Sequence, residues 1–505
     1  MIPVVTPAEM AAIDEAAPEP VEVLIDRAGR AVARSAVAMM GGVYGRRVVV
    51  VAGPGNNGAD GRQAAAMLRQ RGVRVRVVEP GESGPLKDVD LVIDAAFGTG
   101  LRRPYRFPPV GDQVPVLAVD IPSGVDGLTG AVLGSPCAAD RTVTFAAYKP
   151  GLLLEPGRSL AGRIEVVDIG LDVSGASIDL VEGSDVADWL PVPDAVTHKW
   201  HHAVRIVGGS ASMPGAPRLA ACAAQRLGAG YVQLAIPGRI GDPTPVEAVA
   251  FDLGATEWGS AAASELERLG AVLIGPGLGL GHRDAVACAA RDIDRALVLD
   301  GDALQSDLLD VVAARRAPTV LTPHGGEFAR LVDGTVDDPV QATRTLAARC
   351  GAVVVHKGAT TIVAAPDGPV LIVANGDPSL ATAGTGMFLP VVSLRCSLAA
   401  WTRCEPRRLP PGFMPKRAEV SAVSSLRNSP SEWLPSSGIV DGKGPAGRAL
   451  LGRESSGVGH RLDRALPARR CGARTHRRAL ALAHAGWRGQ PCSADTGAPR
   501  SERFG

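Results

Sequence analysis

The chain has 505 residues, of which 46% are hydrophobic and 21% charged, so it can bury the cores of two or three ordinary domains. This composition excludes a wholly disordered chain, and no apolar run reaches the roughly 18 residues of a membrane span. The acidic first residues do not form a secretory signal, and eight cysteines without metal-type pairing predict free thiols in a cytoplasmic protein.

The net charge of +1 is the sum of two segments with opposite charge. Residues 388–505 contain 20 Lys and Arg against 8 Asp and Glu, whereas residues 1–387 contain 33 against 44. The basic segment also lacks sustained helix or strand periodicity. We therefore expect two folded α/β domains up to residue 387, followed by an irregular basic tail that is disordered or out of frame.

Residues 1–175 predict the first of these domains. Thr6, Pro7 and Glu9 form the pattern of a helix N-terminus with a capping box, and Val21–Met40 has apolar residues at helical spacing. Arg47–Ala52 is a short apolar run typical of a strand buried on both faces, and a glycine-rich loop and a helix follow it. Strand, loop, helix and strand form a βαβ unit, whose loop lies at the ligand-binding edge of the sheet.

Three loops that follow predicted strands carry oxygen-bearing side chains. These are Asn57, Asp94 and Ser123. An amide, a carboxylate and a hydroxyl are hard ligands suited to an alkali or alkaline-earth cation. The alternative interpretation is that each side chain caps a helix or completes a turn.

Four motifs in order resemble the NAD(P)H-hydrate epimerase family over residues 1–175: Asn56-Asn57-Gly58-Ala59-Asp60-Gly61, Asp94 with Gly98-Thr99-Gly100-Leu101, Val119-Asp120-Ile121-Pro122-Ser123-Gly124, and Thr144-Phe145 with Lys149-Pro150-Gly151. The resemblance implies a Rossmann-like domain that binds the hydrated nucleotides NADHX and NADPHX, with Asp120 catalytic. It implies nucleotide contacts at Asn56, Asn57, Gly58, Ala59, Asp60, Gly98, Thr99, Gly100, Leu101, Arg102, Arg103, Pro104 and Asp120, and a K⁺ ion held by Asn57, Asp94 and Ser123. Ala59 stands where the family usually has Gly, which is tolerated unless that backbone needs a positive φ.

The acidic, proline-bearing residues 176–197 predict a linker with a short helix at Asp185–Leu190. A second domain of alternating strands and helices follows. Its predicted strands are Ala203–Val207, Tyr231–Ile236 and runs that end at Ile274, Asp300, Thr322 and His356, with an Ala-rich helix over Met213–Leu227.

The second domain has its motifs at these strand ends. The segment Asn375–Gly386 is rich in small residues, so its backbone N–H groups can approach phosphate at a helix N-terminus. Lys357 adds a point charge suited to phosphate. On spacing alone, His324 is more typical of a core histidine than of a ligand.

Together these motifs resemble the ADP/ATP-dependent NAD(P)H-hydrate dehydratase family, which has the ribokinase-like fold, over residues 198–387. They are Gly275-Pro276-Gly277-Leu278-Gly279, Asp300–Leu304, Thr322-Pro323-His324 with Glu327, Lys357–Thr361 and Asn375–Gly386. The resemblance implies that ADP or ATP, with Mg²⁺, contacts Lys357, Gly358, Ala359, Thr360, Thr361 and Gly386, and that the hydrate contacts Ala216, Gly277 and His324. A phosphoryl group would pass to the C6 hydroxyl of the hydrate and then leave as phosphate. An epimerase followed by a dehydratase is the order of the bifunctional nicotinamide nucleotide repair enzymes.

Residue 387 departs from that family. Met387 follows Gly-Thr-Gly where the family has the Asp that serves as general base, so we expect the dehydratase step to be lost in the chain as written. A one-base frameshift explains the residue and the basic tail together, because one added G converts a possible coding of Met-Phe-Leu-Pro-Val-Val-Ser into Asp-Val-Leu-Ala-Gly-Gly-Ile. The alternative is a genuine, diverged tail.

Two other functions stay open. A ribokinase-like small-molecule kinase would share the motifs of the second domain but would not explain those of the first. A non-catalytic nucleotide-binding scaffold would recruit a protein partner. The charge of the tail suits nucleic acid, but without aromatic interleaving or a known module we expect no nucleic-acid partner. We expect no membrane partner, and a homo-oligomer is compatible with the sequence.

Overall fold

The computed structural model describes residues 1–81, 84–189, 197–200, 202–239 and 245–376. All of them lie in one compact unit. Gly386, Met387 and the expected basic tail lie outside these ranges. Among the residues that the structure describes, no helix combines the length and the apolar character that a membrane crossing requires.

The first domain is built on a parallel sheet. The strands up to residue 180 are β1 (Ile2–Val4), β2 (Arg47–Ala52), β3 (Arg74–Val78), β4 (Leu91–Ala95), β5 (Tyr105–Arg106), β6 (Val116–Val119), β7 (Gly134–Ser135), β8 (Arg141–Phe145), β9 (Arg163–Val167) and β10 (Ile178–Leu180). Six of them form the sheet in the order β3-β2-β4-β6-β8-β9, with every pair parallel. The short strands β5 and β7 pair with each other.

Both faces of this sheet are covered, as the apolar runs predict. Val48 and Val50 of β2 belong to one hydrophobic cluster, whereas Val49 and Val51 belong to a second cluster on the opposite face. Successive side chains of a strand point to opposite faces, so the alternation shows a three-layer arrangement.

Of the helices described in the first half of the chain, the first two begin where the sequence predicts, whereas the third begins inside the glycine-rich segment predicted as a loop. These helices are α1 (Pro7–Glu15), α2 (Val21–Met40), α3 (Asn56–Gln70), α4 (Pro150–Leu153), α5 (Gly157–Ala161) and α6 (Gly183–Trp189). The predicted capping box is present, because the Glu9 amide donates to Thr6 Oγ1 over 3.1 Å and the Thr6 amide donates to Glu9 Oε2 over 2.7 Å. The short helix predicted at Asp185–Leu190 corresponds to α6.

The second domain contains a larger sheet with helices between its strands. The strands are β11 (Ala203–Val207), β12 (Tyr231–Ala235), β13 (Val249–Ala250), β14 (Ala271–Ile274), β15 (Ala296–Leu299), β16 (Thr319–Leu321), β17 (Val353–His356), β18 (Thr361–Ala364) and β19 (Val370–Val373). The helices are α7 (Gly215–Arg226), α8 (Gly259–Ala262), α9 (Arg283–Asp292), α10 (Leu309–Ala313), α11 (Gly325–Val332) and α12 (Pro339–Cys350). The sheet order is β1-β10-β19-β18-β17-β16-β15-β14-β11-β12-β13.

This sheet is parallel from β17 through β16, β15, β14 and β11 to β13, and antiparallel at β17–β18, β18–β19 and β1–β10. Its two faces are also packed separately, with Ile274 and Leu299 in one cluster and Leu273 and Val298 in another. The prediction of two three-layer α/β domains is therefore confirmed.

The predicted linker, residues 176–197, contains a strand that the sequence analysis does not anticipate. Ile178–Leu180 forms β10, which pairs antiparallel with β1 and parallel with β19. Three residues are too few to show a period in the sequence. The consequence is that the N-terminal strand and the linker extend the sheet of the second domain.

Candidate active sites

A large cavity among the described residues lies at the carboxyl ends of the strands of the first domain. It has a volume of about 920 Å³. Ten of the thirteen residues predicted to contact the nucleotide line it: Asn56, Asn57, Asp60, Gly98, Thr99, Gly100, Leu101, Arg102, Arg103 and Asp120. The loops after three strands therefore meet in one place, as expected from a parallel sheet.

Three predicted contact residues do not line the cavity. Gly58 packs in α3 against the preceding turn, where a Cβ atom would lie 1.8 Å from the carbonyl oxygen of Gly53. Ala59 lies in α3 without a positive φ, so its methyl group is tolerated as predicted. Pro104 is exposed outside the cavity.

Asp120 is held in an unusual backbone conformation at the end of β6. Its φ is +65°, a left-handed value that costs energy for a residue with a side chain. The backbone amide of Asp120 donates to the carbonyl of Val143 over 2.7 Å. The Oδ2 atom accepts a hydrogen bond from the amide of Thr99 over 3.2 Å, so the carboxylate faces the Gly98–Thr99 loop.

Lys149 lies beside this carboxylate and is a residue to which the sequence analysis assigns no role. Its side chain is 1% exposed, and Nζ lies 2.9 Å from Oδ1 of Asp120. The ammonium also donates to Thr144 Oγ1 over 2.8 Å and to the carbonyl of Phe145 over 2.9 Å. Three acceptors satisfy its three N–H groups. The feature of the sequence that could have indicated a role for this lysine is the Lys149-Pro150-Gly151 motif.

Four further carboxyl groups line the cavity, those of Asp14, Glu15, Glu19 and Asp60, and the pKa values of Asp14 and Asp60 are raised. Burial, reinforced by the negative charges of Asp120 and Asp14, raises the pKa of Asp60 to about 8. Burial also raises the pKa of Asp14, while the charge of Lys149 acts in the opposite direction. Asp60 therefore carries a proton near neutral pH and can donate a hydrogen bond into the cavity.

Of the three residues predicted to hold a cation, Asp94 and Ser123 are in direct contact with each other. Ser123 donates from Oγ to Oδ1 of Asp94 over 2.5 Å and from its amide to Oδ2 over 2.8 Å. Both side chains are fully buried, and this burial raises the pKa of Asp94 to about 6 despite the hydrogen bonds. The amide oxygen and nitrogen of Asn57 are buried and have no hydrogen-bond partner among the residues that the structure describes. Within the described ranges there is no group of three or more His, Cys, Asp or Glu residues placed to hold a metal.

In the second domain, the structure brings together two of the predicted hydrate contacts. Gly277 has a φ of +65°, and a Cβ atom there would lie 3.1 Å from Cβ of Ala216. The close approach of this turn to α7 requires a glycine.

His324 is not a core residue, so the interpretation based on spacing alone is wrong. Its side chain is 58% exposed. It caps α11, with Nδ1 accepting hydrogen bonds from the amides of Gly326 over 3.0 Å and Glu327 over 3.3 Å. The first amides of a helix have no partner within the helix, and this explains why His324 accepts from two of them. The sequence did not reveal this role because it did not show where α11 begins.

Of the predicted ADP-binding residues, Lys357–Thr360 form the connection between β17 and β18, and Thr361 is the first residue of β18. Lys357 donates from Nζ to Oδ1 of the fully buried Asp300 over 2.6 Å, and Thr322 donates to the same oxygen over 2.7 Å. The charge of Lys357 is therefore already paired. Gly386, predicted to complete this site, lies outside the described residues.

Comparison with known protein families separates the two halves. A model described as the N-terminus of YjeF-related proteins matches residues 21–85 and 78–151, and a model described as NAD(P)H-hydrate dehydratase matches residues 204–389. Because the second match reaches past residue 387, a dehydratase domain is present, and the prediction that the dehydratase step is lost is not borne out.

Individual relatives match both halves. The bifunctional NAD(P)H-hydrate repair enzyme Nnr of Salinibacter ruber is 36% identical over 77% of this chain and 86% of its own length. The enzyme of the same name from Mycobacterium tuberculosis is 38% identical over 71% of this chain and 80% of its own length. A solved ADP/ATP-dependent NAD(P)H-hydrate dehydratase from Bacillus subtilis, co-crystallised with ATP and Mg²⁺, is 30% identical, covers 44% of this chain and 84% of its own, and has a TM-score of 0.38.

Proposed function

The chain belongs to the family of bifunctional NAD(P)H-hydrate repair enzymes, and we propose that its two halves divide the two activities of that family. Residues 1–175 would carry the epimerase site, residues 198–387 the dehydratase site, and residues 176–197 would join them. The chain is accordingly an enzyme with an isomerase and a lyase activity.

The observation that carries the epimerase assignment is the pairing of Asp120 with a buried lysine at the wall of a large cavity. A volume of about 920 Å³ is near the upper end of the range of cofactor pockets and can take a dinucleotide. The helix α3 begins at this cavity without a side-chain cap, so its first amides remain available to nucleotide phosphates. Arg102 and Arg103 add positive charge at the rim.

In the proposed reaction, Asp120 moves a proton at the C6 hydroxyl of the hydrate. This carbon also carries the ring nitrogen, so its configuration inverts only when one of its bonds breaks and forms again on the other face. If the C6–N1 bond breaks, its electron pair returns to N1, an aldehyde forms, and Asp120 takes the hydroxyl proton and returns it when N1 adds to the other face. If the C6–O bond breaks, protonated Asp120 gives its proton to the departing oxygen, which leaves as water, and regains a proton when water adds to the other face. Oδ1 accepts from both Lys149 and Thr144, whereas Oδ2 accepts the 3.2 Å hydrogen bond from the Thr99 amide, so Oδ2 is the atom that we assign to this transfer.

We also propose the K⁺ site at Asn57, Asp94 and Ser123. The residues fit such an ion, because the buried amide oxygen of Asn57 has no hydrogen-bond partner among the described residues, and Asp94 and Ser123 supply a carboxylate and a hydroxyl oxygen, both hard ligands. A bound K⁺ would offset the buried charge of Asp94. The Ser123 hydroxyl already links Asp94 to the backbone amide of Phe97, 2.8 Å away, and so ties two of the strand-end loops together.

For the dehydratase half, we propose that ADP or ATP with Mg²⁺ binds at Lys357–Thr361 and Gly386 and that the hydrate binds at Ala216, Gly277 and His324. Since the ammonium of Lys357 is paired with Asp300, the loop would contact phosphate through its backbone amides. Phosphoryl transfer to the C6 hydroxyl and loss of phosphate would then return NAD(P)H.

The test is an assay of both activities on one preparation. R-NADHX should equilibrate with S-NADHX in the presence of K⁺, and NADH absorbance should return when ADP or ATP and Mg²⁺ are added. Asp120→Asn should remove the first activity and leave the second. A protein that binds nucleotide but changes neither epimer would instead be the non-catalytic scaffold, and phosphorylation of another small molecule would indicate the kinase.

A further inference from the structure

The epimerase half makes direct contacts with the loop to which we assign the nucleotide of the dehydratase half. Thr360 of this loop is buried, and its hydroxyl donates to the carbonyl oxygen of Leu153 at the end of α4. The two residues are 207 positions apart in the chain. A loop between two strands thus has a side chain anchored in the other domain.

Arg158 of α5 makes the second contact and joins the loop of the proposed nucleotide site to Gly376. Its guanidinium donates from Nη1 to the carbonyl of Ala359 over 3.1 Å and from Nη2 to the carbonyl of Gly376 over 3.3 Å. Ala359 belongs to the Lys357–Thr361 loop, and Gly376 lies at the start of the Asn375–Gly386 segment. A planar fork with fixed donors is suited to holding two acceptors in a set geometry.

The two bridged segments also touch each other closely. A Cβ atom at Gly376 would lie 2.2 Å from the carbonyl oxygen of Ala359, so only a glycine permits this approach. The guanidinium of Arg158 therefore joins two backbone segments that are already too close together to move nearer to each other.

The segment with helices α4 and α5, which carries Leu153 and Arg158, is packed against the rest of the first domain. All four residues of α4 are buried, and the amide of Gly151 donates to the carbonyl of Gly127 over 2.9 Å. Lys149, which pairs with Asp120, directly precedes α4. The same short segment thus bears one group of the epimerase site and the supports of the nucleotide loop.

We propose that Arg158 is a positioning residue of the dehydratase half, supplied by the epimerase half, that holds the Lys357–Thr361 loop against Gly376 in the conformation that binds a nucleoside diphosphate or triphosphate. This inference rests on the proposed nucleotide site at Lys357–Thr361. Ordering of the loop before binding lowers the conformational cost of binding.

The experiment measures binding of MgADP to the full chain by calorimetry, together with the epimerase rate and the melting temperature. Arg158→Ala should weaken MgADP binding about five- to tenfold, as expected from two lost hydrogen bonds, with the epimerase rate within about twofold of the unmodified chain. Arg163→Ala, at an exposed arginine in β9, is the matched control and should bind MgADP normally.

Arg158→Lys separates geometry from charge. A lysine keeps the charge but cannot form the fork, so the variant should also bind MgADP more weakly. Full affinity in Arg158→Lys would assign the effect to charge and overturn positioning, as would unchanged affinity in Arg158→Ala or an equal fall in the epimerase rate. If the unmodified chain does not bind MgADP, the proposed nucleotide site fails and the inference fails with it. If the unmodified chain binds MgADP and Arg158→Ala binds it with the same affinity, only the inference is overturned.

Discussion

Nζ of Lys149 and Oδ1 of Asp120 are 2.9 Å apart in an ion pair whose lysine is almost completely buried. Lys149 directly precedes Pro150, the first residue of α4, and its ammonium also donates to the carbonyl of Phe145 at the end of β8. Removal of one partner of a buried pair leaves the other charge without compensation, which is costly. The pair is therefore a sensitive point for both activity and stability.

Lys149→Met should lower kcat/KM for epimerisation at least tenfold, because Asp120 loses the contact that fixes its orientation. The measurement is the rate of equilibration of R- and S-NADHX by chromatography. Lys87→Met, at an exposed lysine of the same domain, is the control and should retain full activity. Equal rates for Lys149→Met and the unmodified chain would show that the ion pair has no part in the reaction.

Gly98→Ala should also impair epimerisation about tenfold or more. The added Cβ atom would lie 2.8 Å from Oδ2 of Asp120, the atom to which we assign the proton transfer, so the carboxylate must move. Gly175→Ala provides the matched control, since a Cβ atom there has open space. Kinetics should be measured with melting curves, and normal turnover by Gly98→Ala would place the reacting atom elsewhere.

Asp60 should make the protein less stable as the pH rises. The pKa of Asp60 is raised from 3.8 to about 8, so the folded state keeps a proton that the unfolded chain loses between these values. The folded state then binds more protons than the unfolded state, so the free energy of unfolding falls as the pH rises across this window. Asp60→Asn removes the titration and should melt roughly 2–4 °C higher than the unmodified chain near pH 8, with the difference vanishing toward about pH 4.

The control for this titration is Asp337→Asn, at an exposed carboxylate, which should melt like the unmodified chain at every pH. A constant difference between Asp60→Asn and the unmodified chain from about pH 4 to pH 8 would contradict the raised pKa.

The boundary of the epimerase domain can be tested with fragments. A fragment of residues 1–175 lacks β10, the partner of β1, whereas a fragment of residues 1–189 retains the three paired positions between Ile2–Val4 and Ile178–Leu180. We expect both to fold, since the six-stranded sheet and its core are complete in each. The longer fragment should melt at least about 2 °C higher by circular dichroism, and identical midpoints would show that β1 contributes no stability.

The features that the sequence predicted are those with a local cause. The capping box depends on Thr6 and Glu9, three positions apart, and its hydrogen bonds follow from the helix itself. The Arg47–Ala52 run needs only its composition to indicate a buried strand. The meeting of the Asn57, Gly98 and Asp120 loops also followed, because parallel strands bring their carboxyl ends to one edge.

Tertiary structure alone decided the contacts between residues that are distant in the chain. The partner of Lys149, the β1–β10–β19 pairing and the bridge from Arg158 to Ala359 and Gly376 depend on how strands order and pack. Composition and spacing describe neighbours along the chain, whereas these contacts follow from the folded position of a whole domain, because the side chains involved meet only after both sheets have formed.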